Sequence, residues 1–451
     1  MASGPILSVL GQTQVSPPVA AVSDKSLSLT YFDFLWLTQP PIHNLFFYEF
    51  PISQTQFIET IIPKVKHSLS ITLQHFFPFS GNLFVYPTST KNPEIRYVEG
   101  DSVAVTFAEC NLDFKELIGN HPRDCEMFYH LTPLLGEPDK TSDFTKIPLF
   151  SVQVTLFPNS GISIGMTNHH CLGDASTRFY FLKAWTSIAR FGSDELFLAN
   201  GTLPVYERPI QNRKLDESYL KFAKVENFKD EYQPSKLCGA TDKVRGTFIL
   251  SRPMLNKLKN LVSTQLPTLV YVSSFTVACG YIWSCIAETG NDGLQMFGFT
   301  IDCRARMKPA IPAAYFGNCV GGCFVLEQSK MLKGKEGFVT AAKLLGESLH
   351  QRLTDKDGVL PEIESFGDLF TNGFPSTMIG VAGTPKLKFY DMDFGWGKPK
   401  KIETVSIDYN GSISMNACKD NSDDLEIGVC LPAIQMESFV RIFKHGLEEY
   451  I

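Results

Sequence analysis

The sequence predicts an α/β protein built from two similar mixed-sheet domains. Three observations carry this. The chain has 451 residues, more than one ordinary domain holds, so two units of roughly 200 residues are expected. Strand-like alternation and helix-like periodicity are interspersed in both halves rather than segregated. Each half also closes on a strand pair followed by a helix. The expected layout is a first domain over residues 1–199, a crossover linker over 200–244 and a second domain over 245–451, with part of 355–390 packing back on the first domain.

In chain order, residues 5–15 read as a short apolar strand, 29–36 as a compact aromatic element and 44–49 as a strand. Residues 54–75 carry Phe57, Ile58, Ile61, Val65, Leu69 and Leu73 at three- and four-residue steps, a helix that Pro63 kinks or interrupts. Strands are expected near 83–86, 94–99 and 103–109, then a short helix at 112–118 and a Pro/Asp-rich loop over 120–146. Residues 147–157 and 162–168 alternate apolar and polar residues around a Pro158-Asn-Ser-Gly161 turn, which reads as a hairpin. A helix follows over 175–190, with Phe179, Leu182, Trp185 and Ile188 on one stripe. Residues 200–245, rich in Pro, Asn, Asp and Lys, read as linker.

The second half opens with a strand at 245–250 and helices at 251–263 and 273–288. A strand at 297–302 leads into Cys303-Arg-Ala-Arg306. Glycines within 315–324 imply closely packed backbone. A helix at 337–353 follows, then strands at 387–391, 403–408, 412–416 and 424–430, with Asn410-Gly411 turning the chain between two of them. A helix over 433–447 ends the chain.

Net charge is −6 and the isoelectric point about 5.9, which argues against nucleic acid as the main partner. The eleven cysteines are scattered, with no C-x-x-C pair and no His/Cys ligand spacing. That argues against a disulfide frame and a zinc site, and points to the cytosol. No run approaches a membrane span and the N-terminus lacks the pattern of a signal peptide. Asn200-Gly-Thr and Asn410-Gly-Ser fit a glycosylation pattern but read as ordinary turns.

The chemistry concentrates after the first hairpin. His170 ends a strand, and Asp174 lies four residues on. A loop imidazole suits a general base, and a nearby carboxylate can fix its tautomer or hold the loop. Gly173 makes a tight loop, in which Asp174 can brace the backbone through an arginine instead. A pattern this short also arises by chance. Gly161-Ile-Ser163-Ile-Gly165 matches a nucleophile elbow, but Ser163 lies mid-strand, where the elbow needs a sharp turn. Asp393-Phe-Gly-Trp-Gly397 reads as a tight turn around a buried Trp396. Lys257 and Lys259, and Arg304, Arg306 and Lys308, form cation clusters that suit a phosphorylated ligand or a solvated face.

His170-x-x-x-Asp174 together with Asp393-Phe-Gly-Trp-Gly397 resembles the plant BAHD acyl-CoA-dependent acyltransferases, from about residue 5 to the C-terminus. Leu29-Thr-x-x-Asp33 and Pro78-Phe-Ser-Gly81 fit as well. Tyr315-Phe-Gly-Asn-Cys319 resembles the mark of the branch that acts on anthocyanin and flavonoid glucosides, and the flower anthocyanin malonyltransferases are the nearest likeness within it.

The resemblance implies a chloramphenicol acetyltransferase-like pair of domains with a solvent tunnel between them, a monomer, and no metal or permanent cofactor. It implies malonyl-CoA as co-substrate and a phenolic glucoside as acceptor, with another acyl-CoA or another phenolic glucoside as the alternative. His170 would be the general base. Asp174 would pair with Arg304. Asp393, Gly395, Trp396 and Gly397 would form a structural loop needed for activity. Lys259, Ser273, Ser274 and Asn318 would serve the donor, and Arg178 could reach the donor's free carboxylate. Ala175 stands where many members have glycine; as a good helix former it should matter little.

Overall fold

The computed structural model describes residues 6–86, 91–210, 212–223, 237, 241–354 and 375–450. Its first sheet has six strands, in the order Leu7–Val15, Val103–Cys110, Phe150–Phe157, Gly161–Asn168, Ile42–Glu49 and Lys401–Thr404. The hairpin sits at its centre, in antiparallel register from Phe150 opposite Asn168 to Phe157 opposite Gly161. Asn159 takes the left-handed conformation in its turn, φ 57°, as asparagine tolerates.

Every residue of both hairpin strands is buried, although the sequence alternates. Val152, Val154, Ile162 and Ile164 face the main core. The polar residues face inward too, because the 114–133 segment covers the other side. Gln153 Nε2 donates to the His130 carbonyl at 2.8 Å, and Thr155 and Thr167 are bonded there as well. The first strand is shorter than its apolar run. Thr145–Pro148 belongs to a separate five-stranded sheet, and the chain changes sheets at Leu149.

A seven-stranded sheet organises the second half, in the order Val320–Gln328, Leu294–Asp302, Thr377–Ala382, Ile413–Ala417, Leu425–Pro432, Lys243–Leu250 and Arg123–Asp124. The two large sheets exchange strands. Lys401–Thr404 crosses back to pair with Ile42–Glu49, and Arg123–Asp124 pairs with Lys243–Leu250. Buried charges fasten both crossings: Arg123 and Arg245 meet Glu403 at 2.9 and 3.2 Å. The first core accordingly takes in Tyr315, Phe316, Tyr390, Phe394 and Trp396 from late in the chain. Of the 355–390 stretch expected to pack there, 355–374 lies outside the described residues.

The 54–75 helix forms behind a Ser53 capping box and contains a π-helical turn over Phe57–Ile61. Pro63 enters in the first turn of the regular helix that follows. The widened turn admits a residue with no backbone N–H to donate.

Two expectations fail locally, and a third region holds more structure than its composition announces. Residues 387–391 are not a strand: Phe389–Asp391 is a 3-10 turn, and the strand is Thr377–Ala382. The strand expected at 403–408 stops at Thr404 and becomes a helical turn, Ile407–Asn410, capped by Gly411 at φ 69°. Lys243 and Arg245 hold the Asp408 carbonyl and carboxylate, and these tertiary bonds outweigh the strand propensity of the β-branched residues. Within 200–245 lies a helix, Arg213–Phe222, whose buried Asp216 accepts a 2.8 Å bond from the Tyr31 amide. Residues 224–236 and 238–240 are not described.

Candidate active site

The Gly161–Asn168 strand delivers two histidines to one short loop. His169 caps a 3-10 turn over His170–Leu172, and its amide bonds the Leu149 carbonyl at 2.9 Å. Gly173 then reverses the chain at φ 150°, where a Cβ would strike Thr177. The helix Ala175–Phe191 starts immediately after, with Asp174 as its N-cap.

The His170 ring stacks on Trp36, with centroids 3.8 Å apart and planes 8° from parallel. Its carbonyl accepts a 3.1 Å bond from Asn318 Nδ2. The residue keeps some accessible surface, but dense packing around the ring, aided by the Arg178 charge, pulls its pKa down to about 3. His170 is therefore neutral at neutral pH.

Asp174 does not serve the imidazole. Oδ1 accepts the Ser176 and Thr177 amides at 3.0 and 3.2 Å, and Oδ2 accepts the Cys319 amide at 3.0 Å. Arg304 grips both oxygens, at 2.8 and 3.1 Å, and also donates to the Tyr315 and Gly317 carbonyls. Both side chains are buried. The carboxylate ties the site loop to residues 315–319 of the second half.

Asn318 is fully buried beneath the loop. Its backbone amide and Nδ2 both donate to Asp33 Oδ1, each at 3.0 Å. Asp33 Oδ2 in turn accepts the Thr30 amide and hydroxyl. Arg178, one turn into the helix, is half-buried and donates to the Gly173 carbonyl at 3.2 Å. Burial lowers its pKa to about 10, so it remains a cation.

Asp393 lies at the other end of the same helix. Oδ1 accepts the Gly395 and Gly397 amides at 2.7 and 2.9 Å, and Oδ2 meets Arg190 at 3.3 Å. Gly395 and Gly397 have φ of 92° and 90°. Phe394 and Trp396 are buried against Tyr48, edge-on at 5.8 and 5.7 Å. Asp174 caps the N-terminus of the helix and Arg190 sits in its last turn. At about 1.5 Å rise per residue, some 24 Å separates them, so Asp393 lies about a helix length from the His170 loop.

Of the expected donor residues, Ser273 is the N-cap of Ser274–Thr289, its hydroxyl accepting the Thr276 amide at 3.1 Å. Lys259 is half-buried on Arg252–Gln265. A cleft of 270 Å³ opens between 266–271 and the helix Gly334–Thr354, with Lys343 and His350 on its wall.

Ser163 is sealed in the sheet between Phe47 and Thr155, and its strand continues to Asn168, so the elbow geometry is absent. Cys125, Asp408 and Cys430 bring three ligand atoms within 4.8 Å of one another, the two thiols 3.4 Å apart. Arg245 lies 3.5 Å from Asp408 and already supplies the positive charge there.

Trp36, like Asp33, is a site residue that sequence reasoning missed. It was legible as part of an aromatic element, but nothing in its spacing links it to residue 170. That contact arises only when the first sheet sets Ile42–Glu49 beside Gly161–Asn168.

A family model described as the Transferase family matches residues 9–445. A malonyl-coenzyme A:anthocyanin 3-O-glucoside-6''-O-malonyltransferase of Dahlia pinnata is 52% identical, over 99% of both chains. Phenolic glucoside malonyltransferase 1 of Nicotiana tabacum is 42% identical, over 98% of this chain and 99% of its own. The crystal structure of vinorine synthase superposes with a TM-score of 0.69 at 19% identity, covering 96% of each chain. That likeness concerns the fold.

Proposed function

The chain belongs to the Transferase family of BAHD acyltransferases, and on that premise we propose that it transfers a malonyl group from malonyl-CoA to the sugar 6-hydroxyl of an anthocyanin or related phenolic glucoside. The observation that carries the chemistry is His170: a neutral imidazole held on a loop at the end of a central strand, clamped by Trp36.

In this reading both substrates meet at His170 in a tunnel between the halves. The imidazole takes the proton of the sugar hydroxyl, and the oxygen attacks the thioester carbonyl. The tetrahedral intermediate then expels the CoA thiolate, which recovers the proton from the imidazolium. The products are the malonyl ester and free CoA. Holding both substrates together supplies the proximity term, and a closed site limits hydrolysis of the thioester. Arg178 is the cation best suited to the donor's free carboxylate. Lys259, Ser273 and Ser274 suit the CoA arm, and Asp174 with Arg304 keeps the loop in shape. No covalent intermediate or permanent cofactor is required.

We assign the protein to the cytosol as a monomer. The ten described cysteines are all free, which fits a reducing compartment. Among the described residues no helix is long and apolar enough to cross a membrane.

The deciding experiment follows thiol release from malonyl-CoA with and without an anthocyanin 3-glucoside, with mass spectrometry of the product. Acceptor-dependent thiol and a malonylated glucoside are expected. Binding of the glucoside without thiol release would overturn the assignment. Ser163→Ala should keep full activity, whereas a hydrolase acting through Ser163 would lose it.

A further inference from the structure

We propose that Cys125, Asp408 and Cys430 form a site for one zinc ion where the two large sheets exchange strands, independent of the acyl-transfer reading.

The three side chains come from separate segments. Cys125 follows the Arg123–Asp124 strand, and its amide bonds the Lys243 carbonyl at 3.2 Å. Cys430 lies in Leu425–Pro432, opposite Arg245. Asp408 sits in the helical turn Ile407–Asn410. Spacing could not show the set, because the two cysteines are 305 residues apart. Among the described residues, this is the one place where three such ligand atoms, one from each side chain, lie within 4.8 Å of one another.

Two observations point to an ion. The first is the carboxylate. Asp408 is 3% exposed. Its Oδ2 faces Arg245 Nη1 at 3.5 Å, but Oδ1 meets no N–H or O–H donor among the described residues. Beside the carboxylate stand the two thiols, which are weak donors. A buried carboxylate oxygen so poorly served is costly. The second is the sulfur pair. The thiols lie 3.4 Å apart. Two thiolates on one tetrahedral zinc, each about 2.3 Å from it, lie about 3.8 Å apart. The pair need open by only a few tenths of an ångström to admit the ion.

Arg245 and Lys243, which donates to the Asp408 carbonyl, already bring positive charge here. Zinc does not add to it. The bond with Cys125, together with burial, pushes the Cys430 thiol up, so it is protonated until the ion arrives. Each thiol gives up its proton on binding. Two R–SH and one Zn²⁺ yield Zn(S–R)₂ and two H⁺, which leaves the net charge of the cluster unchanged. A monovalent soft ion would leave it one charge poorer, and thiolates select zinc over magnesium or calcium. Cys430 is only partly buried, which leaves a path for the ion and for a water as fourth ligand. The ion would tie the first half of the chain to two segments of the second, beside the ion pairs of Glu403 with Arg123 and Arg245.

The test uses the full chain, reduced with a phosphine, stripped with a chelator and kept anaerobic. Co²⁺ is the optical probe. At micromolar ion the wild type should take up one Co²⁺ per chain, with the visible bands of a tetrahedral ion and the near-ultraviolet absorption of thiolate ligation, and Zn²⁺ should erase both. Zn²⁺ added to the stripped protein should release two protons per ion and raise the melting temperature. Cys430→Ala and Cys125→Ala should lose the thiolate absorption and the zinc-dependent rise. Cys418→Ala, at the other described cysteine that is partly exposed, should bind as the wild type does. If Cys125→Ala fails to fold, Cys430→Ala decides alone, since its side chain is partly exposed. A wild type without thiolate absorption in Co²⁺ would overturn the inference. So would equal uptake by the wild type and folded Cys430→Ala, which marks an adventitious ion only.

Discussion

Asp174 and Arg304, 130 residues apart in the chain, form a buried two-point ion pair, with Arg304 Nη1 and Nη2 at 2.8 and 3.1 Å from the two carboxylate oxygens. Removing one partner strands the other charge without water. Asp174→Ala should therefore destabilise the protein by about 3–5 kcal/mol, including loss of the helix cap. Arg304→Lys should not restore the pair, since an ammonium cannot copy the fork. Urea denaturation measures both, and an Asp174→Ala midpoint equal to wild type would refute the bracing role.

His170→Ala should lower acyl transfer by about 10²- to 10⁴-fold, the usual worth of a positioned base. Thiol release by the folded variant checks this. Loss of less than about 10-fold would leave the proton to another group.

Burial keeps three histidines neutral. From an ordinary value of 6.5, His170 falls to about 3, and His43 and His169 to about 4. Below pH 6.5 the unfolded chain therefore binds more protons than the native one. The stability these groups contribute is whole above pH 6.5 and is lost as the pH falls from there towards 4 and then 3. Urea midpoints across that range should decline, and less steeply in His170→Ala. For the free enzyme, kcat/KM should show no inflection near pH 6.5 from the base. An inflection there that vanishes on replacing His170 would contradict the burial argument.

Arg178→Ala should weaken use of malonyl-CoA relative to acetyl-CoA. A charged hydrogen bond is worth about 1.5–3 kcal/mol, so the ratio of kcat/KM values should shift about 10- to 100-fold. Equal losses with both donors would mean that Arg178 only supports the Gly173 carbonyl.

Asp393→Ala removes the acceptor for two glycine amides and the partner of Arg190. Thermal unfolding should begin at lower temperature, and activity should follow the folded fraction. A fully folded variant with no turnover would instead bring this loop to the reacting centre.

The sequence made the periodic parts of the fold legible. Residues 161–168 and 175–191 announce themselves by alternation and by a stripe of apolar residues, and the paired motifs mark the two loops that matter. What escaped depends on tertiary contacts. Residues 150–157 alternate apolar and polar residues, yet a loop segment covers the polar side as well and buries Gln153 and Thr155. The strand-like run after Thr404 turns helical because Arg245 and Lys243 hold Asp408. The short helix at 213–222 carries few apolar residues and is recognised by what Asp216 does for Tyr31. Trp36 and Asp33 became site residues only once the first sheet brought distant segments together.

The strand exchange has a consequence for synthesis. The Ile42–Glu49 strand is an inner strand of the finished sheet only because Lys401–Thr404 covers its far side. During translation that partner emerges about 350 residues after Ile42–Glu49. Until then the nascent first half carries an open edge of unpaired amides and carbonyls beside two strands buried along their whole length, a template for association with other chains. The order in which the ribosome releases the chain thus leaves the half bearing His170 waiting for a strand from the other, and the burden of keeping that edge apart falls on whatever attends the polypeptide as it emerges.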